Sequence, residues 1–187
     1  MLGKSSSALE TGVLVSLAAL IYYFSYLSSY NLIDYFEFSH STSWFYLPSG
    51  VRLLITLILM GYGALGICLG TLAIDYLYIQ SNNHFYNVVT AMVAGGSAYL
   101  SLRVSQRVLN LDVHLAQLSL RKLLGICAIF AIISSLLHQF WFHWHGDTPS
   151  FLDSFLVMAV GYLGGCLVVL LVMQCVLKAW QAFFRPS

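Results

Sequence analysis

The sequence carries very little charge. Only 8% of its 187 residues are Asp, Glu, Lys or Arg, whereas soluble domains carry about 25%. Hydrophobic residues make up 59% of the chain, and the mean hydropathy is +0.82. So few charges cannot cover a surface that faces water, which excludes an ordinary soluble domain. The composition predicts a protein that lies largely inside a lipid bilayer.

Several functional classes lack their usual signals. A net charge of +1 excludes the basic face that nucleic-acid binding requires. The four cysteines fall in apolar segments without metal-ligand spacing, which is typical of compact core residues. Phosphate-binding glycine loops, haem attachment motifs and nucleophile–base pairs are missing from the sequence. We therefore expect neither an enzyme nor a metal site, and the sequence indicates no particular cofactor.

Apolar runs predict an all-α polytopic membrane protein, a single domain of residues 1–187 with six spans. Their approximate ranges are 9–27, 48–60, 62–79, 85–102, 120–140 and 151–177. The second span is about 20 Å long at 1.5 Å per residue, shorter than the ~30 Å hydrocarbon core. With the corner Gly61–Tyr62–Gly63, the second and third spans are expected to form a short hairpin. Residues 31–43 are expected along the interface, and residues 105–122 as a short surface helix.

The distribution of charge predicts the orientation of these spans. If the N-terminus is cytoplasmic, seven of the eight basic residues lie inside, which agrees with the positive-inside rule; they are Lys4, Arg103, Arg107, Arg121, Lys122, Lys178 and Arg185. Most acids and histidines fall on the outer side. Both termini are therefore expected in the cytoplasm.

Two opposite charges interrupt the second and third spans. If the chain reverses at Gly61–Gly63, Arg52 and Asp75 lie level with each other in the outer leaflet. An ionisable residue at this depth is costly unless it is paired or solvated. One interpretation is a pocket in which Arg52, near the helix start at Pro48, binds an anionic small molecule. The alternatives are an ion pair that joins the two spans, or an Arg52 side chain that reaches outward to water.

Histidines collect near the predicted outer surface. The segment HQFWFHWHGD contains His138, His143, His145 and Asp147, to which His40, Asp34 or Glu37 would be added by the fold. These are metal-ligand types, but their spacing does not place them on one helix face as zinc motifs require. An interfacial belt rich in His and Trp is the other interpretation, and its histidines would respond to outside pH.

Glycines recur at positions that favour close helix packing. Small residues let helix backbones approach closely in lipid, where no hydrophobic force drives helices together. The glycines expected at such contacts are Gly61, Gly63, Gly66, Gly70, Gly95, Gly96, Gly161, Gly164 and Gly165. Thr148 and Pro149 resemble an N-cap followed by Pro at the first position of the last helix.

Residues 44–72 (WFYLPSGVRLLITLILMGYGALGICLGTL) resemble the membrane-associated sensor domain family, first type. The resemblance rests on Trp44, Pro48, Gly50, Gly61, Gly66 and Gly70 and extends less specifically to residue 177. It implies a sensory membrane domain of the bacterial inner membrane that binds a small ligand. The Gly-Asp pair that usually starts the family's last span is shifted here, to Gly146–Asp147. Family members continue into a cyclase, phosphodiesterase or kinase, so this chain is expected to act through a partner membrane protein.

The size and the short Gly-cornered hairpin are also similar to vitamin-binding subunits of energy-coupling transporters. That resemblance implies a transport subunit that binds its substrate from outside. A third alternative is a structural subunit of a larger membrane complex, in which Arg52 and Asp75 only hold two helices together. All three interpretations predict a protein that contacts membrane lipid and binds a protein partner.

Overall fold

A computed structural model describes residues 8–39, 42–79, 82–111, 119–148 and 150–184. The chain forms five helices: α1 (Ala8–Tyr35), α2 (Pro48–Leu77), α3 (His84–Val108), α4 (Leu120–Trp144) and α5 (Phe151–Phe184). A small antiparallel hairpin, β1 (Glu37–Ser39) and β2 (Thr42–Ser43), connects α1 to α2. The all-α class is confirmed. Each of the five helices is long and apolar enough to cross a membrane, which supports a multi-pass membrane protein.

The described residues form five helices where six were predicted, because the second and third expected spans both lie within α2, joined at Met60. Helix α1 also continues eight residues past its expected end at residue 27, since its aromatic tail stays helical. The interface segment is therefore partly helix and partly β-hairpin. Of the expected surface helix, residues 105–108 end α3, and residues 112–118 lie outside the described residues.

Helix α2 folds back on itself at Met60. This residue has φ 49° and ψ −121°, far from helical values. A Cβ atom added to Gly63 would lie 2.6 Å from the carbonyl oxygen of Ile55, although residues eight apart in a continuous helix are about 12 Å apart. The corner is thus two residues before Tyr62, the middle of the predicted corner. We call residues 48–59 α2a and residues 61–77 α2b.

The corner strains Met60, because a positive φ is unfavourable for any residue with a Cβ atom. We expect Met60→Gly to raise the free energy of unfolding by about 1 kcal/mol relative to Met60→Ala, which loses the same side chain but keeps the Cβ. Thermal unfolding of both variants in the same detergent checks this. An alanine variant as stable as the glycine variant would show that the corner is unstrained.

Close backbone contacts set the arrangement of the helices. Helix α1 runs beside α2b, with Ala18 against Gly66 and Tyr22 against Gly70. On the other side of α2b, Gly95 of α3 lies against Ala64. Helix α5 runs beside α2a and the segment before it, where Gly161 and Gly165 lie against the backbone of Ser43 and Tyr46. The folded-back α2 therefore lies at the centre of the bundle.

Three of the expected packing glycines make no close contact with another backbone. An added Cβ would meet nothing within 4 Å at Gly96 and only a tyrosine ring edge, at 3.9 Å, at Gly61. At Gly164 it would meet the Phe45 ring at an ordinary 3.6 Å. Conversely, Gly50 lies against the backbone of Gly165, a contact that the sequence pattern missed. Glycine spacing locates the packed faces but not every member of them.

Candidate ligand-binding site

A cavity of about 140 Å³ lies among the helices, beneath the β-hairpin. Every helix and both strands contribute to its wall. The charged or titratable side chains that line it are Tyr22, Tyr26, Glu37, Tyr46, Arg52, Asp75, His138 and Tyr162. A cavity of about 150 Å³ is known to accept benzene, so this one suits a molecule of roughly six to eight non-hydrogen atoms.

Arg52 projects from α2a into the middle of the bundle and is only 1% exposed. Its Nη2 donates to the carbonyl oxygen of Ala94 at 2.6 Å and to the hydroxyls of Ser97 and Ser134 at 3.2 and 3.4 Å. Its Nη1 donates to the Tyr162 hydroxyl at 3.2 Å. These acceptors are all neutral. Arg52 thus contacts three other helices, and none of its hydrogen-bond acceptors in the described structure is a carboxylate.

Aromatic rings surround the Arg52 guanidinium. Its central carbon lies 5.8 and 5.6 Å from the ring centroids of Phe130 and Tyr162, within the range of cation–π attraction. Tyr46 stacks on Tyr162 with centroids 5.3 Å apart, and its hydroxyl lies 3.3 Å from that of Tyr22. Burial raises the pKa of Tyr46 well above its usual value, which keeps this phenol neutral. The Nε of Arg52 finds no hydrogen-bond acceptor in the described part of the chain.

Asp75 lies near the end of α2b and is 7% exposed. Its Oδ2 accepts no hydrogen bond from the described residues. Helix α1 supplies Tyr22 and Tyr26 to the same cavity wall. The carboxylate is therefore buried, lines the cavity and retains acceptor capacity.

Among the described side chains no ion pair or hydrogen bond joins Arg52 to Asp75, although both line one cavity. The expectation that they lie level must be corrected. The chain reverses at Met60, eight residues after Arg52 and fifteen before Asp75. At 1.5 Å per residue along the helix axis, Arg52 lies about 10 Å farther from the β-hairpin than Asp75 does. That offset explains why no direct ion pair forms.

The expected histidine cluster is not assembled in the described structure. His138 is buried in the cavity wall, where its Nδ1 donates to the carbonyl oxygen of Ser134 at 2.7 Å. His143 and His145 are exposed at the end of α4, and Asp147 accepts from the Tyr86 hydroxyl at 2.6 Å. No group of three or more potential metal ligands occurs among the described residues.

The other residues expected in this histidine and acid cluster also lie apart from one another. Asp34 is exposed on α1, and Glu37 lines the cavity from β1. His40 lies outside the described residues, as does Pro149 of the expected helix start. His138 and Glu37 thus belong to the cavity rather than to an outer metal site.

Sequence reasoning missed the tyrosines of the cavity. Tyr22 and Tyr26 belong to YYFSYLSSY, which resembles an interfacial aromatic belt. Their spacing of four residues, which puts both on one helix face, was the available signal. Ser97 and Ser134 had no such signal, because isolated serines are common in membrane helices. Their contact, with hydroxyls 2.7 Å apart, depends on how α3 and α4 pack.

No protein family model, curated protein or solved structure matches this chain. The resemblances to the sensor family and to transporter subunits therefore stay predictions. Any functional conclusion depends on the geometry of the cavity.

Proposed function

We propose that this protein is a non-catalytic sensor of the bacterial inner membrane. Its bundle binds a small polar molecule in the cavity and transmits binding to a partner membrane protein. The observation that carries the proposal is Arg52, a fully buried arginine that lines a cavity and, among the described residues, donates only to neutral acceptors. The resemblance of residues 44–72 to sensor domains agrees with it.

The physical argument concerns the cost of a buried charge. A charged side chain inside a membrane is expensive unless it is paired or solvated, so such residues are usually functional. Arg52 has four neutral hydrogen-bond partners but no counter-ion in the described chain. A hydrophobic residue of similar volume would fill the same place more cheaply. A ligand that brings a negative charge supplies the counter-ion that the described residues do not provide.

We place both termini in the cytoplasm and the cavity on the outer side. Counting α2a and α2b as separate passes makes six passes, which returns the chain to its starting side. The basic residues Arg103, Arg107, Arg121 and Lys122 lie at the end of α3 and the start of α4. Thr90 and Ala94 line the cavity from the other half of α3. The cavity is thus away from the basic, inward end.

Transmission through helix α5 follows from the contacts of Arg52. Tyr162 of α5 accepts a hydrogen bond from Arg52, and its ring faces the guanidinium. A ligand that binds Arg52 competes for this contact and alters how α5 packs. Helix α5 then continues to Phe184 with exposed apolar side chains such as Leu171 and Val176. That half of α5 is the segment on which a partner would detect the change.

A native mass measurement tests binding. The full chain is purified in mild detergent, dialysed, and re-incubated with a low-molecular-weight extract of the cells that produced it. We expect one small molecule to bind the wild type and Arg103→Met, whose exposed arginine lies outside the cavity. Arg52→Met should lose at least tenfold in affinity, since the anion loses its charged donor.

The result also separates the alternative functions. A folded wild type that binds nothing from the extract would contradict the proposal. Ligand binding that Arg52→Met leaves intact would move the site away from Arg52. Saturable uptake of the same molecule by vesicles that contain the protein and its partner would identify a transport subunit instead of a sensor.

A further inference from the structure

We infer that the ligand is a small zwitterion, with a carboxylate that binds Arg52 and an ammonium group that binds Asp75. This inference rests on the proposed function, because it names the chemical class of the molecule in the cavity. Two buried side chains of opposite charge line this cavity, and neither neutralises the other.

The end of the cavity at Arg52 suits a carboxylate. A charged guanidinium N–H forms a short, strong hydrogen bond to a carboxylate oxygen. In Arg52, Nε has no acceptor among the described residues, while the Nη atoms already hold the side chain in place. A carboxylate oxygen supplies the missing acceptor and the missing negative charge together. The fixed guanidinium would lose little side-chain entropy on binding.

The end of the cavity at Asp75 suits an ammonium group. Its Oδ2 has no hydrogen-bond donor among the described residues. Tyr22 and Tyr26 line the same space, and aromatic faces attract cations. Glu37 of the β-hairpin adds a second carboxylate to the cavity wall. The two carboxyl groups, of Asp75 and Glu37, therefore line the part of the cavity near the β-hairpin, and the Arg52 guanidinium lies deeper in the bundle.

A ligand with a single charge would leave the other buried group without a partner. A cation leaves the Arg52 charge buried and uncompensated, which is strongly unfavourable. An anion satisfies Arg52 but leaves Asp75 either as an unpaired buried carboxylate or as a protonated acid without a hydrogen-bond partner, and both are costly. Arg52 lies about 10 Å deeper than Asp75 along the helix axis, which leaves room for a molecule between them. A zwitterion of cavity size meets both requirements.

Length-matched probes test this inference on the full chain in lipid nanodiscs by calorimetric titration. The amino acids run from glycine through 4-aminobutyrate to 6-aminohexanoate. Each is compared with the carboxylate and the alkylammonium ion of the same chain length. We expect at least one amino acid to bind tenfold or more tightly than both of its singly charged partners. The comparison within the wild type needs no variant.

Two variants then assign the charges. Asp75→Asn should weaken the amino acid at least tenfold and make the matching carboxylate bind as well as the amino acid. Arg52→Gln should instead make the matching alkylammonium ion bind with the same affinity as the amino acid. Arg103→Gln should change none of these affinities. Thermal unfolding of each variant confirms that it is folded before titration.

The outcomes distinguish this inference from the proposed function. A carboxylate that binds the wild type as tightly as its amino acid, and depends on Arg52, would show an anion site, overturning the zwitterion and keeping the sensor. An extract ligand that binds while every probe fails would also overturn the zwitterion. If neither probes nor extract bind, both proposals fall.

Discussion

Arg52→Met is expected to leave the bundle folded and to raise its free energy of unfolding by about 1–3 kcal/mol, since replacing a buried ionic group with a well-packed apolar one is often stabilising. Arg52 has no carboxylate partner in the described structure, so its removal orphans no opposite charge. Three of the four groups it leaves behind have other partners, and the Tyr162 hydroxyl alone loses the hydrogen bond that the structure gives it. Ser97 and Ser134 hydrogen-bond each other at 2.7 Å, and Ser97 also donates to the Ala94 carbonyl oxygen.

Thermal unfolding in nanodiscs without ligand measures the change. The control is Arg103→Met, an exposed position where a change within about 0.5 kcal/mol is expected. The same Arg52→Met protein should bind ligand at least tenfold more weakly. More stability with less binding is the signature of a residue kept for function. A Met variant that no longer unfolds cooperatively would instead make Arg52 a structural element.

Gly165→Ala is expected to destabilise the protein by about 3 kcal/mol, the upper part of the range for overpacking a tight contact. The added Cβ would overlap the backbone carbonyl oxygen of Tyr46 and lie 2.5 Å from the Ser49 hydroxyl oxygen. The backbone at Tyr46 cannot swing aside as a flexible side chain would. The Ser49 hydroxyl also donates to the carbonyl oxygen of Tyr162 at 2.9 Å. Separating α5 from α2a would therefore disturb the cavity as well.

The matched control is Gly96→Ala on α3, where the added Cβ meets nothing within 4 Å. There we expect a gain of up to about 1 kcal/mol, because alanine favours helix over glycine. The unfolding temperatures of both variants and the wild type, measured under the same conditions, give the two changes in stability. Equal losses at both positions would show that the close contact of α5 with the segment before α2 is not a packing constraint.

Arg52 and Asp75 show how much of the candidate site could be predicted from sequence patterns. The short apolar runs on either side of Gly61 predicted that Arg52 and Asp75 lie near each other, and both do line one cavity. Their relative depth came out wrong because the chain turns at Met60, a residue with no turn signal in the sequence. A shift of the corner by about two residues displaces the two arms relative to each other by several ångströms.

The positions of the histidines, in contrast, could not be predicted from the sequence pattern. His138, His143 and His145 look alike in sequence, since each lies in an aromatic run at the end of α4. The structure buries His138 in the cavity and leaves the other two exposed. Which face of α4 meets α5 decides this, and it depends on side-chain packing that a local pattern does not contain.

Composition and apolar runs were sufficient to predict an all-α membrane protein. A chain with so little charge can satisfy its backbone in lipid only through helices or a closed barrel, and most of the apolar runs are longer than the roughly 10 residues of a barrel strand. Tertiary structure decided three features: the reversal of α2 at Met60, the burial of Arg52 with no counter-ion among the described residues, and the grouping of tyrosines from α1, the segment before α2 and α5 around one cavity. The last two features depend on contacts between residues more than 20 positions apart. Such contacts arise from how whole helices pack, and no local pattern encodes them.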